Sequence, residues 1–172
     1  IYVAASKQPE RSSTPDAGLF QWHELMLEIL CAAIPDDWFV YYKEHPTNFL
    51  EPVSIDNSLN TGTLYRISAL SENLRFVSVE SDPMELIDRA QCVATTTGTT
   101  AWQAVARGKY ALVFGHAWYN TAPGIIPIKT LTECQAAFAY LSSANPVASL
   151  EIENYLKTLD MTAGEFEWLR DI

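Results

Sequence analysis

Basic side chains are scarce in this sequence. It has 11 lysines and arginines against 21 aspartates and glutamates, which gives a formal net charge of −10 over 172 residues. Because affinity for a nucleic-acid backbone depends on lysine and arginine, this balance argues against a nucleic-acid-binding surface. A small anionic ligand stays possible, since its site needs only a few local donors.

Cysteine is also rare, and several glycine motifs are missing. Cys31, Cys92 and Cys134 lie in apolar stretches, which predicts small core side chains in a reducing compartment. With no Cys-x-x-Cys pair and no histidine–cysteine cluster, we expect neither a metal nor a cofactor. The first strand lacks Gly-x-Gly-x-x-Gly, and no Gly-x-x-x-x-Gly-Lys-Ser/Thr motif is present, which argues against a dinucleotide site and a P-loop. No apolar run approaches the roughly 20 residues of a membrane span.

What is present indicates one folded domain. Hydrophobic residues make up 48% of the chain and aromatic residues 12%, which is typical of a globular protein. We expect a single domain over residues 1–172, closed by helices over about 131–172. The chain opens at Ile1-Tyr2-Val3, already in a strand pattern and without methionine, so we expect it to be a piece of a longer protein.

Apolar runs alternate with helical patterns along the chain. The pattern predicts strands at 1–5, 38–42, 74–79, 91–95 and 110–114, and a short extended segment at 124–128. It predicts helices at 19–34, 64–70, 84–90, 101–107, 132–143, 149–159 and 163–169, and an irregular connection at 47–61. Near-continuous apolar strands between helices predict an α/β fold, namely a Rossmann-like open parallel sheet with helices on both faces.

The chain is organised around residues 95–108, Thr-Thr-Thr-Gly-Thr-Thr-Ala-Trp-Gln-Ala-Val-Ala-Arg-Gly. This stretch joins the fourth strand to a helix. Gly98 lets the backbone approach a ligand closely, and Thr96, Thr97, Thr99 and Thr100 offer hydroxyl groups. One interpretation is a phosphate- or sugar-binding turn. The other is an ordinary helix start, because threonine is a common N-cap.

Other polar residues follow the predicted strands, where parallel sheets bind ligands. The loop after the first strand carries Ser6, Lys7, Glu10 and Arg11, which either reach a ligand or form a solvated surface. His45 follows the second strand and either pairs with a phosphate as a cation or caps the strand end. His116 follows the fifth strand and either joins the same edge or has no chemical role. We interpret His23, on the first helix, as a packed or surface histidine.

Several stretches together resemble the capsular polysaccharide biosynthesis family of bacterial glycosyltransferases, over residues 1–128. They are Ala4-Ala5-Ser6-Lys7-Gln8-Pro9-Glu10-Arg11, Tyr42-Lys43-Glu44-His45-Pro46, Glu85-Leu86-Ile87, Thr97-Gly98-Thr99-Thr100-Ala101-Trp102-Gln103-Ala104 and Phe114-Gly115-His116-Ala117-Trp118-Tyr119. Members resemble two-lobed GT-B enzymes whose C-terminal lobe binds a nucleotide-sugar. Related sialyl- and Kdo-transferases carry a His-Pro motif and a Ser/Thr-rich motif that bind a CMP-sugar.

The resemblance implies a role for each matching position. His45-Pro46 and the 97–100 turn would bind the donor, and Gln103 stands where the family pattern has glutamate, although its amide can still bond a ribose. His45 and Arg11 would stabilise the phosphate, Thr99 and Thr100 would bind phosphate or sugar, and the 79–82 loop with Ser81 would hold the base. A return crossover would set the 97–100 turn beside the first strand, at the topological switch point. Glu10 and Glu44 are the candidate general bases.

The resemblance further implies a donor-binding lobe whose N-terminal partner lobe precedes Ile1. Its partners would be a nucleotide-sugar donor and a saccharide or glycolipid acceptor. It would be cytoplasmic, at the inner face of the bacterial inner membrane through other components. Two alternatives stay open. One is another enzyme on a similar lobe, such as a sugar-nucleotide epimerase or a CDP-polyol polymerase. The other is a non-catalytic interaction module.

Overall fold

A computed structural model describes residues 1–7, 14–50 and 61–162. Six strands form one parallel sheet in the order β3-β2-β1-β4-β5-β6. The strands are β1 (Tyr2–Ala4), β2 (Val40–Lys43), β3 (Leu74–Val77), β4 (Cys92–Thr95), β5 (Tyr110–Val113) and β6 (Ile125–Pro127). The predicted α/β class and parallel sheet are confirmed. The extended segment predicted at 124–128 pairs with β5 and is the sixth strand.

Seven helices connect or follow the strands in the described ranges. They are α1 (His23–Ala33), α2 (Thr47–Leu50), α3 (Thr61–Ser68), α4 (Pro83–Arg89), α5 (Thr100–Ala106), α6 (Leu131–Leu141) and α7 (Ser149–Thr162). The start of α4 is as the sequence predicts, because the Asp82 side chain accepts from the Met84 N–H at 2.8 Å and Pro83 occupies the first turn.

Two predicted elements are corrected. The single helix predicted at 19–34 is a 3-10 turn, Gly18–Gln21, followed by α1, because Trp22 between them is extended. The connection predicted as irregular at 47–61 begins with the short helix α2 and ends where α3 starts. The helix predicted at 163–169 lies outside the described residues.

Hydrophobic side chains fill both faces of the sheet. Leu27 of α1 and Phe138 of α6 belong to one buried cluster, whereas Ile87 of α4, Ala104 of α5 and Ile152 of α7 belong to the other. None of the helices in the described ranges is long and apolar enough to cross a membrane.

The sheet reverses direction between β1 and β4. The chain builds outward from β1 through β2 to β3, then returns to β4 on the other side of β1. The ends of β1 and β4 are therefore the topological switch point, where open parallel sheets bind ligands at the carboxyl edge. This confirms the predicted position of the 97–100 turn beside the first strand.

Candidate functional site

Hydroxyl groups join the ends of β1 and β4 at the switch point. The Oγ of Ser6 and the Oγ1 of Thr96 are 3.0 Å apart and buried. One residue earlier, the Thr95 hydroxyl donates to the Ala4 carbonyl at 3.0 Å and lies 3.3 Å from the Gly98 amide that donates to it. The turn over residues 96–100, here called the threonine turn, is thus held against the first strand by side-chain hydrogen bonds, in addition to the backbone hydrogen bonds between β1 and β4.

Tyr119, in the loop after β5, supports the turn from residue 97 to residue 100. The Tyr119 hydroxyl donates to the Gly98 carbonyl at 2.5 Å. Thr97 is buried and Thr99 is exposed. The side chain of Thr99 makes no capping hydrogen bond, although this residue is the N-cap of α5. Thr99 thus begins the helix without a capping bond from its side chain, and its hydroxyl is left at the surface.

The packing of the threonine turn requires a glycine at position 98, independently of any ligand. A Cβ at this position would lie 2.8 Å from the Thr95 Oγ1, closer than side-chain carbons approach such atoms. Because that oxygen already bridges Ala4 and Gly98, it has little freedom to move. The glycine keeps the turn close to β4, whatever binds above it.

His45 lies just after β2, and its side chain is half-buried. The Thr47 N–H donates to its Nδ1 at 3.4 Å, and the Thr47 hydroxyl lies 2.7 Å from the same atom. Because an amide can only donate, Nδ1 is an acceptor and the ring proton resides on Nε2. Because Thr47 contacts Nδ1, the Nε2–H is the ring donor that stays available to a ligand. The adjacent Pro46 is exposed.

Glu44 points inward, which argues against its predicted role as general base. It is only 5% exposed. Its Oε1 accepts from the His45 N–H at 2.9 Å and from the Asn48 Nδ2 at 2.7 Å, while its Oε2 accepts from the Tyr42 hydroxyl at 2.7 Å. Both oxygens are committed to the protein. A base must reach the proton that it removes, and this buried carboxylate does not.

Behind Glu44 lies a buried histidine. The Nδ1 of His23 is 3.2 Å from the Tyr42 hydroxyl, and its Nε2 accepts from the Ser6 N–H at 3.4 Å. Burial lowers the pKa of His23, and the charge of Glu44 only partly opposes this shift. Burial, with Glu44 nearby, also raises the pKa of Tyr42 well above its usual value. The interpretation of His23 as a packed histidine is confirmed, and the histidine packs directly beneath the site.

Lys43 is mostly buried and has no counter-charge among the described residues. Its residue is 6% exposed, and among the described residues it has no hydrogen bond or ion pair. In the described part of the chain, no side-chain nitrogen that is fully shielded from water lacks a partner, so its ammonium must touch solvent. Burial of the stem lowers the pKa of Lys43. Lys43 is opposite Ala4 in register, and this small residue separates it from Thr95 on the α5 face.

The remaining predicted residues are spread along the same edge. Lys7 is half-buried directly after Ser6, Ser81 is half-buried after β3, and Gln103 is exposed on α5. His116 is exposed after β5, beside a cavity of about 540 Å³ that Asp16, Gly18 and Lys129 also line. Glu10 and Arg11 lie outside the described residues. The structure thus puts Ser6 in contact with Thr96 at the start of the threonine turn and places His45 after the neighbouring strand β2. His116 directly follows Gly115, whose N–H donates to the Thr96 carbonyl.

Two further features bear on what the site can hold. In the described ranges no three His, Cys, Asp or Glu side chains are grouped so as to hold a metal ion. A cavity of about 560 Å³ lies at the amino ends of the strands, lined by Ile1, Trp38 and Gln91 among others. Parallel sheets bind their ligands at the opposite edge, so the cavity's size does not make it the site.

The sequence did not single out Tyr42, Lys43 or Asn48. The available signal was the run from Tyr42 to His45, in which alternation sends Tyr42 and Glu44 to one face and Lys43 to the other. Asn48 follows Glu44 by four residues, the spacing of one helical turn. Neither pattern predicts a buried carboxylate without the packing of α1 above it.

The comparisons with known proteins concern the fold. No protein-family model matches the chain, and no curated protein sequence matches it. Among solved structures, it is similar to Thermosulfurimonas dismutans KpsC, beta Kdo 2,7 transferase, with a TM-score of 0.56 and 17% identity over 94% of this chain and 53% of that one. KpsC, beta Kdo 2,4 transferase, of the same organism gives a TM-score of 0.49 and 18% identity over 90% and 51%. The chain spans about half the length of these structures.

Proposed function

We propose that this chain is the donor-binding lobe of a GT-B glycosyltransferase in capsular or surface polysaccharide biosynthesis, with a CMP-sugar as donor. The observation that carries the proposal is the hydroxyl contact between Ser6 and Thr96, which sits at the topological switch point of the sheet. Doubly wound sheets bind nucleotides in a crevice at this point. The similarity of the fold to a beta Kdo 2,7 transferase supports the proposal.

The chemistry of the crevice suits a departing nucleotide phosphate. When a sugar leaves a nucleotide donor, negative charge grows on the phosphate and must be stabilised. His45 offers an Nε2–H donor. Within the described part of the chain, the Lys43 ammonium has no partner and the Thr99 hydroxyl makes no capping bond, so both can donate to a phosphate. These groups act without a metal. Arg11 stays a further prediction for the same role.

The other donor contacts follow the family resemblance. The loop from 79 to 82, with Ser81, would hold the base, and Gln103 would reach the ribose. Thr97, Gly98 and Thr100 would contact the phosphate or sugar, with Ser6, Lys7 and Pro46 at the rim. His116 would belong to this set only if the ligand extends across the end of β5. Glu10 is the remaining candidate base from this chain, because Glu44 is committed to the protein.

The acceptor side lies outside these residues in our proposal. A saccharide or glycolipid acceptor would enter a cleft between this domain, residues 1–172, and an N-terminal lobe of the same protein. Association with the cytoplasmic face of the inner membrane would come from other components. These are the proposals that the activity of the whole protein must test.

A nucleotide panel tests the proposal. A ligand that binds only the native state raises its thermal stability, so melting temperatures are measured with CMP, CDP, UDP and GDP and with their sugars. We expect CMP and CMP-sugars to give the largest increase. A preference for UDP-sugars would support the epimerase alternative, and a preference for CDP-polyols the polymerase alternative. If no nucleotide changes the melting temperature at millimolar concentration, the result favours the alternative of a non-catalytic interaction module.

His45 provides the matching variant test. A hydrogen bond from a protein donor to a charged phosphate contributes about 1.5–3 kcal/mol, so His45→Ala is expected to weaken CMP binding by roughly ten- to a hundredfold. His45→Gln keeps an amide donor and should lose less. Equal affinities of wild type and His45→Ala by calorimetry would remove His45 from the site.

A further inference from the structure

We propose that His23 and Glu44 are positioning residues of this site, acting through one directional chain of hydrogen bonds. The chain runs from the Ser6 backbone through His23 and Tyr42 to Glu44, and ends on the backbone of His45. It ties the loop after β1 to the turn after β2. Its effect on ligand affinity rests on the function proposed above, but its existence does not.

The direction of donation is fixed at the Ser6 end. A backbone N–H can only donate, so the Nε2 of His23 is an acceptor and the ring proton sits on Nδ1. That Nδ1–H must then donate to the Tyr42 oxygen, 3.2 Å away. The Tyr42 hydroxyl is left to donate its own proton, and it does so to the Glu44 Oε2 at 2.7 Å. Each link has one possible direction.

At Glu44, the chain of hydrogen bonds needs an ionised carboxylate. Three donors converge on Glu44: the Tyr42 hydroxyl, the His45 N–H and the Asn48 side-chain amide. A carboxylate accepts at both oxygens, whereas glutamine accepts at one and donates at the other. Glutamine would therefore face at least one donor with another donor. If its NH₂ group met Tyr42, the hydroxyl would have to turn toward His23 and reverse the whole chain.

This chain of hydrogen bonds fixes Ser6 and His45, the two residues that would meet a ligand. Ser6 is held at its amide by His23 and at its hydroxyl by Thr96. His45 is held at its amide by Glu44 and at its Nδ1 by Thr47. The Nε2–H of His45 is therefore aimed by contacts that never touch the ligand. A group held in this way loses little entropy when the ligand binds.

The test pairs two neighbouring tyrosines of β2. Tyr42→Phe removes the hydroxyl that links His23 to Glu44, whereas Tyr41→Phe removes an exposed hydroxyl that has no partner among the described residues. Glu44→Gln is paired with Glu24→Gln, which loses the same charge at a surface ion pair with Arg66. Circular dichroism and thermal melting identify the variants that fold. CMP affinity is measured by calorimetry, and histidine tautomers by long-range ¹H–¹⁵N correlation NMR.

We expect the wild-type His23 ring to carry its proton on Nδ1. Folded Tyr42→Phe and Glu44→Gln should shift the amide resonances of Ser6 and His45 and weaken CMP binding roughly five- to thirtyfold. Both control variants should stay within twofold. A purely structural role would lower the melting temperature while leaving affinity and the His45 amide unchanged, and that result would overturn the proposal. A His23 proton on Nε2 would also overturn the proposal, and this measurement is made on the wild-type protein.

Failure of the proposed function gives a different pattern. If wild type binds no nucleotide, the glycosyltransferase proposal falls, while the His23 tautomer and the Ser6 and His45 resonances of Tyr42→Phe still decide the positioning role. A proton on Nδ1 and shifted resonances would uphold it, and either opposite result would refute it.

Discussion

At the scale of single residues, Lys43 and Glu44 show how strand alternation divides charge between two faces. Glu44 faces α1 and is enclosed by three donors. Lys43 faces the opposite side and has no partner in the described ranges. The Lys43 ammonium touches solvent at the end of β2 and has no partner in the described ranges, so it is a group to which an anionic ligand can bind.

Lys43→Met separates binding from stability. Methionine keeps much of the buried stem and removes the charge, so the free energy of unfolding should stay the same or rise. CMP affinity should fall at least about tenfold, since a hydrogen bond to a charged group is lost. Urea unfolding and calorimetry measure the two effects. Lys109→Met, which loses a bond to the Ala90 carbonyl, is the control. Unchanged affinity in Lys43→Met would exclude Lys43 from the site.

His23 makes stability depend on pH. Burial holds the pKa of His23 below its ordinary value of 6.5, and Glu44 is the charged group that opposes the shift. The folded state thus favours the neutral ring. Its stabilisation is complete above about pH 6.5 and is lost as pH falls toward the lowered pKa of the folded state. Asp88, whose pKa Arg107 lowers below 3.8, loses its contribution only in stronger acid.

Urea unfolding between pH 7.5 and 4.5 measures this dependence. Wild type should lose stability from about pH 6.5 downward. His23→Gln should start less stable, because the Ser6 amide and the Tyr42 hydroxyl lose a partner, and should show a flatter dependence over this range. Parallel curves for the two proteins would contradict the assignment to His23.

At the scale of elements, the end of β5 supports the threonine turn. The Gly115 N–H donates to the Thr96 carbonyl at 2.8 Å. A Cβ on Gly115 would lie 2.5 Å from the Thr97 Cγ2, 2.9 Å from the Thr96 carbonyl oxygen and 3.0 Å from the Ala17 Cα. The end of β5, the 14–17 turn and the threonine turn are therefore packed in direct contact, with no room for a side chain.

Gly115→Ala should accordingly destabilise the protein by about 1–3 kcal/mol, the usual cost of overpacking. Guanidinium unfolding measures this change. Gly18→Ala is a useful comparison, since a Cβ there has open space but the residue has a φ of +55°, and its cost should come from backbone strain alone. A Gly115→Ala protein as stable as wild type would show that the turn yields to the added methyl group.

The sequence predicts the elements far better than the contacts between them. Buried parallel strands are near-continuous apolar runs, and Asp82-Pro83 marks a helix start by its own chemistry, so strands and helix order could be predicted. The direction of Glu44 could not, because an isolated glutamate is normally exposed. It turns inward only because Tyr42, Asn48 and the His45 amide meet there. Such networks arise from tertiary packing, which no local pattern encodes.

At the scale of the whole molecule, the switch point and the charge of the chain act together. The net charge of −10 repels a nucleotide at long range, so affinity must come from local donors. Those donors follow β1, β2 and β4, three neighbouring strands at the centre of the sheet.

The central claim is that a cytidine nucleotide binds at the carboxyl edge between β1 and β4. Titration of ¹⁵N-labelled protein with CMP, followed through the backbone amides, tests it most directly. We expect shifts at Ser6, His45 and residues 96–100, with little change around Gln91 at the opposite edge. Shifts confined to the amino-edge cavity of Ile1, Trp38 and Gln91, or no shifts at millimolar CMP, would contradict it.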